Sequence, residues 1–200
     1  MMKEHRDDTI DYQESSDILE LGEFLHMRPM QDGVLEFVRT EIARYQARLD
    51  QLGIQFFSAE EMLFLGGKHH APGHPCSGKN ALPQENLWRN MDATVAELDK
   101  LRTELGTQLF INSTYRNDAY NRCVKGATNS KHKDFNAIDF RSNSLAPREV
   151  ARALKLRRDA GHFVGGIGIY NTFVHIDTRD VNKNFKGDTT PMADFNYVFA

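Results

Sequence analysis

Gly165-Gly166-Ile167-Gly168-Ile169-Tyr170-Asn171-Thr172-Phe173-Val174-His175-Ile176-Asp177-Thr178 is the stretch that decides the fold. The glycine pair breaks the chain, and two runs rich in β-branched and aromatic residues follow, separated by Asn171. The pattern predicts strands over 167–170 and 172–178 joined by a tight turn at Asn171. Side chains alternate across a strand, so Phe173, His175 and Asp177 share one face, with Val174 and Ile176 on the other. A polar His–Asp pair on one strand face needs partners, because burying polar groups without them is costly. Such a pair is either a structural hydrogen bond or part of a site.

Upstream, Phe135–Phe140 and Leu109–Ile111 read as further strands. Residues 117–124 read as a short helix, and 147–159 as a basic-faced helix opened by Ala146-Pro147. Ahead of these the period is helical. Val34, Leu35, Val38, Ile42, Tyr45 and Leu49 recur at three and four residues and predict a helix over 34–52, with Gly53 just past its end. Ser58 and Glu61 make a capping-box pattern ahead of a short helix, 59–65. Residues 66–84 hold four glycines and three prolines and read as loop. Leu87, Met91, Val95, Leu98, Leu101 and Leu105 predict a second long helix over 85–105, closed by Gly106. Helices first and short strands after, without βαβ alternation, argue for an α+β fold. Three segments are expected: an acidic lead (1–17), a helical segment and loop (18–84) that includes an apolar patch at 18–30, and a domain over 85–200.

The 200-residue length suits about one domain. A composition of 40% hydrophobic and 26% charged residues excludes wholesale disorder, collagen-like repetition and a disulfide scaffold. The net charge of −3 argues against a basic nucleic-acid binder. Residues 1–23 carry eight acids and two bases, so the remainder is +3. That asymmetry fits either a solvated tail or a body that meets anionic polymers. No run approaches the ~18 apolar residues of a membrane helix. The first residues show no apolar core of a secretory signal, so cytosolic synthesis, another release route or a missing upstream segment is expected. Cys76 and Cys123 allow one disulfide at most; in a cytosolic setting they are expected to stay reduced, but Cys123 follows the Arg116 loop, and whether the two come within the ~7 Å a disulfide needs is left open.

Ser130-Lys131-His132-Lys133-Asp134-Phe135-Asn136-Ala137-Ile138-Asp139 supplies the second half of a site. Imidazole and carboxylate are ligands a catalytic zinc takes, usually three of them with a fourth position open. Ser113-Thr114-Tyr115-Arg116 stands just upstream. A guanidinium is a two-pronged donor suited to a carboxylate or a developing oxyanion. His69, His70, His74 and Cys76 fall within eight residues but match no usual zinc spacing.

From about Trp88 to Asp180, the S-x-H-x-x-x-x-A-x-D spacing, the S-T-Y-R segment and G-G-I-G-I-Y-N-T-F-V-H-I-D-T-R together resemble the zinc D-Ala-D-Ala carboxypeptidase family, peptidoglycan peptidases of the hedgehog/DD-peptidase fold. The resemblance implies a small antiparallel sheet with helices, preceded here by the N-terminal helical segment. It implies one zinc ion on His132, Asp139 and His175, with Arg116 on the substrate and Ser130 and Tyr115 beside it. It implies endopeptidase or D,D-carboxypeptidase action on wall stem peptides or cross-links, and for a chain without a signal, phage-type release by a holin or work in the periplasm. Relatives keep a catalytic base as Glu three residues, or His two residues, before the last histidine; Thr172 and Phe173 stand here. Asp177 is the best substitute for that base or, equally, a carboxylate that orients His175; Tyr170 and His162 are weaker candidates. The departure leaves a second expectation open, a wall-binding or phage structural module of the same fold.

Overall fold

The computed structural model describes residues 32–200; the acidic lead and the 18–30 patch lie outside the described residues. The chain divides into two compact units, Met1–Thr40 and Glu41–Ala200. Of the first, the described part is the opening of helix α1, Asp32–Gln51. The rest of α1 and everything after it make the second unit.

There α2 (Ala59–Met62) starts on Ser58, whose hydroxyl accepts the Glu61 N–H while Glu61 accepts the Ser58 N–H, the capping box its sequence predicts. A short helix α3 (Gly67–His70) interrupts the expected loop. The long helix expected over 85–105 is two pieces: a 3₁₀ turn, Glu85–Met91, then α4, Asp92–Leu105. Three residues per turn brings Trp88 and Met91 onto one face; both are buried, and Trp88 meets Tyr45 edge-on at 5.1 Å. Strand β1 (Leu109–Ser113), α5 (Asp118–Cys123), β2 (Ala137–Ser142), α6 (Pro147–Asp159), β3 (Gly166–Ile169), β4 (Val174–Asp177), β5 (Lys183–Lys186) and α7 (Met192–Phe199) complete the order. β2 begins two residues later than expected, because a 3₁₀ turn over Lys131–Asp134 ends at Phe135 in the left-handed region, φ +51°. In α6, Pro147 stands in the first turn and the Glu149 carboxylate accepts the Ala146 N–H at 2.8 Å.

The described strands form one sheet in the order β1-β2-β4-β3-β5. It is antiparallel except at its edge, where β5 pairs parallel to β3. One face carries Ile138, Phe140, Ile167, Ile169, Val174 and Ile176, all buried in the core that α4 and α6 share through Val95, Leu98, Val150 and Leu154. Each such side chain contributes roughly 1.5–3 kcal/mol of burial. The opposite face is polar. Its central row, read across all five strands, is Ser113, Asp139, His175, Gly168 and Phe185. The mixed α+β architecture with a small sheet and a preceding helix is the expected one. β5 and α7 were not anticipated from the sequence.

Candidate metal centre

Asp139 and His175 face each other directly across β2 and β4, and His175 Nδ1 lies 2.8 Å from Asp139 Oδ1. His132 enters from the 3₁₀ turn, its Nε2 3.1 Å from the same oxygen. One potential ligand atom from each of the three lies within 4.8 Å of the others, and all three residues are buried.

Each imidazole is fixed from behind. His132 Nδ1 donates to the Thr114 carbonyl at 2.5 Å, which leaves Nε2 as the unprotonated nitrogen. That atom is buried and has no hydrogen-bond partner among the described residues, a costly state for a polar group unless a ligand completes it. His175 Nε2 faces Asp177 Oδ2 at 3.0 Å, so the ring's other nitrogen is turned to Asp139. Asp177 is fully buried and receives Arg179 Nε at 2.6 Å, Arg179 Nη2 and the Gly166 N–H at 3.1 Å. Gly166 and Gly168 keep this floor open: a Cβ on Gly166 would lie 2.5 Å from Asp177 Oδ2, and one on Gly168 3.0 Å from His175 Cβ. Arg116 donates Nη2 to Asp139 Oδ2 and Nε to Ser113 Oγ at 2.9 Å.

Charge follows this geometry. Burial, then the Arg116 charge, lowers the His132 pKa to about 4, so the ring is neutral. Burial also opposes a charge on His175, but Asp139 and Asp177 outweigh it and lift the ring to about 9. Asp139 overcomes its burial through the Arg116 charge and the His175 hydrogen bond, which hold it well below the usual carboxylate range. Asp177 overcomes its own through Arg179 and His175 and is likewise held low. A divalent cation would therefore meet a carboxylate and a ready lone pair on His132, and would displace one proton from His175. Two imidazoles and one carboxylate are a zinc-type donor set.

The other residues singled out in the sequence fall as follows. Ser130 opens the turn that carries His132 and accepts the Lys133 N–H at its carbonyl, 3.1 Å. Tyr115 packs its ring edge-on against Phe135 at 6.1 Å. Tyr170 stacks on Phe173 at 4.2 Å, and burial, then Asp139, raises its phenol pKa. His162 is exposed beyond α6 and lines a surface cleft with Phe163, Val164 and Arg179. His69, His70 and His74 form no group of metal ligands among the described residues. Cys76 and Cys123, whose pairing the sequence leaves open, are disulfide-bonded, Cα–Cα 5.7 Å; the fold brings the end of α5 onto the loop that follows α3. Asn80, Thr114, Ser113 and Arg179 support the site without having been assigned a role from sequence. Only Gly-x-Gly opposite His-x-Asp carried a readable signal of the close approach.

The family model described as Peptidase M15 matches residues 76–177, a span that holds the cluster, Arg116 and both cysteines. No curated protein matches the chain.

Proposed function

Since the chain belongs to the peptidase M15 family, we propose that it is a zinc-dependent peptidase that cleaves the stem peptides or cross-links of peptidoglycan. The observation that carries this reading is the buried, partnerless His132 Nε2 beside Asp139 Oδ1 and His175 Nδ1. Zinc held there supplies Lewis acidity at the scissile carbonyl and the attacking water.

The chain's own residues do the rest. Thr114 and Asp177 fix opposite tautomers in the two imidazoles, so that Nε2 of His132 and Nδ1 of His175 face the ion. Arg116 spends Nε and Nη2 on Ser113 and Asp139; its remaining N–H groups are assigned to the substrate carbonyl or carboxylate, with Ser130 and Tyr115 on neighbouring turns. Asp177 lies on the Nε2 side of His175, the side turned from Asp139. We therefore assign it to orienting His175 rather than to taking a proton.

That assignment favours a second reading. Thr172 and Phe173 cannot take a proton at neutral pH, and Asp177 is buried under Arg179. A metal-holding module that binds wall peptides without cleaving them fits the same geometry. Digestion of purified muropeptides by zinc-loaded protein separates the two. Turnover that a chelator abolishes and zinc restores supports the peptidase. Binding without turnover at saturating zinc replaces it with the module.

A further inference from the structure

Arg116 is gripped through its backbone from two directions. On one side the His132 carbonyl accepts the Arg116 N–H at 3.1 Å, and His132 Nδ1 holds the Thr114 carbonyl. On the other, Asn80 Nδ2 donates to the Tyr115 carbonyl at 2.8 Å, and Asn80 Oδ1 accepts the Asn117 N–H at 3.0 Å. The second Nδ2 hydrogen goes to the Leu65 carbonyl at 2.9 Å. One amide side chain, 7% exposed, thus brackets Arg116 with one donor hydrogen and its acceptor oxygen and anchors itself to Leu65 with the other donor hydrogen. The segment that presents Asn80 is itself tied down. His69 Nδ1 accepts the Asn80 N–H at 2.9 Å, Asn117 Nδ2 donates to the Lys79 carbonyl at 2.8 Å, and Thr114 Oγ1 donates to the Met62 carbonyl at 2.7 Å. The Cys76–Cys123 disulfide joins the same two stretches of chain.

We propose that Asn80 is a positioning residue for Arg116, clamping the peptide groups on both sides of it to the disulfide-tethered segment 62–80 and so setting the reach of the guanidinium. The proposal rests on the reading of Arg116 as the group that meets the substrate. A displacement of about 1 Å in such a group costs ~10²-fold in rate. Asn80's own side-chain contacts reach none of the ring nitrogens or carboxylate oxygens of the cluster, so metal content is independent of them.

The test is Asn80→Asp in the full, zinc-loaded chain. It preserves shape and the acceptor for Asn117, but turns lone pairs toward the Leu65 and Tyr115 carbonyls. Amide hydrogen exchange read by mass spectrometry should accelerate about 10-fold or more over residues 114–118, with β2 and β4 unchanged and zinc retained. On muropeptides kcat should fall ~10²-fold. The double variant Arg116→Ala/Asn80→Asp should be no slower than Arg116→Ala alone, since the two act through one group. Asn80→Ala, which removes the same hydrogen bonds without adding a charge, should accelerate exchange over the same residues and serves if Asn80→Asp does not fold. Unchanged exchange over 114–118, or losses that multiply in the double variant, would overturn the clamp. A wild type that cleaves nothing overturns the peptidase reading instead, and the exchange measurement alone then decides the clamp.

Discussion

Two groups of histidines lie in this molecule, and they differ in how their lone pairs are spent. In the 66–80 loop, three histidines and a cysteine fall within eight residues. His69 Nδ1 accepts the Asn80 N–H and His74 Nδ1 accepts the Cys76 N–H at 3.0 Å. The His70 ring stacks on Phe64, and the cysteine sulfur is in a disulfide. His132 and His175 stand 43 positions apart in the chain, yet the turn before β2 and the register of β4 against β2 bring them to one carboxylate oxygen. Among the described residues their inner nitrogens meet that oxygen, and that of His132 makes no hydrogen bond. Local density of ligand-type residues in a sequence therefore says little about metal binding. What matters is whether the fold leaves lone pairs converging and unspent.

The sharpest way to break this contrast is to remove a ligand. His175→Ala should reduce muropeptide turnover to the uncatalysed background, and added zinc should not restore it; turnover above background would place the active metal elsewhere. Arg116→Ala comes next. It should lower kcat by ~10²–10³-fold with zinc content unchanged, the scale of one lost oxyanion donor, and Arg116→Lys should recover little of it. An unimpaired Arg116→Ala would reduce that residue to an ion-pair partner of Asp139.

Asp177→Asn sharpens the contrast from behind the ligand. If Asp177 orients His175, zinc affinity should fall ~10–100-fold and saturating zinc should restore the rate. A persistent loss of ~10²–10⁴-fold at full zinc occupancy would make it the base. The smallest effect belongs to the loop. Changing His69 and His74 to alanine removes two acceptors of backbone N–H groups, and thermal or denaturant unfolding should show a loss of about 0.5–1.5 kcal/mol for each. Zinc content should not move.

The parts of the fold that were legible in the sequence are those where one local rule acts alone. Pro147 at the first helical position fixes α6 over its full predicted length, and alternation in Phe173–Asp177 places His175 and Asp177 on one face. Elsewhere tertiary contacts override the local pattern. Trp88 and Met91 are both drawn into the core, and the chain over 85–91 winds more tightly than its apolar spacing suggests. β5 reads Lys-Asn-Phe-Lys, without the alternation of a half-buried strand; it exists because it pairs with β3, and Arg158 reaches the Lys183 carbonyl at 3.0 Å. The three residues that converge, His132, Asp139 and His175, could be named from spacing and resemblance. Asn80 could not, because the partners of its side chain lie 15 to 37 positions away and nothing in its neighbours marks it. The disulfide was unreadable for the same reason, since its cysteines are 47 positions apart.

The central claim is that the convergent trio, and not the dense loop, holds the ion. The most direct test is the metal-to-chain ratio after dialysis, measured side by side for the wild type, His132→Ala, and a variant with His69, His70 and His74 all changed to alanine. One zinc per chain is expected in the wild type and in the loop variant, and none in His132→Ala. Zinc retained by His132→Ala, or lost from the loop variant, would contradict it.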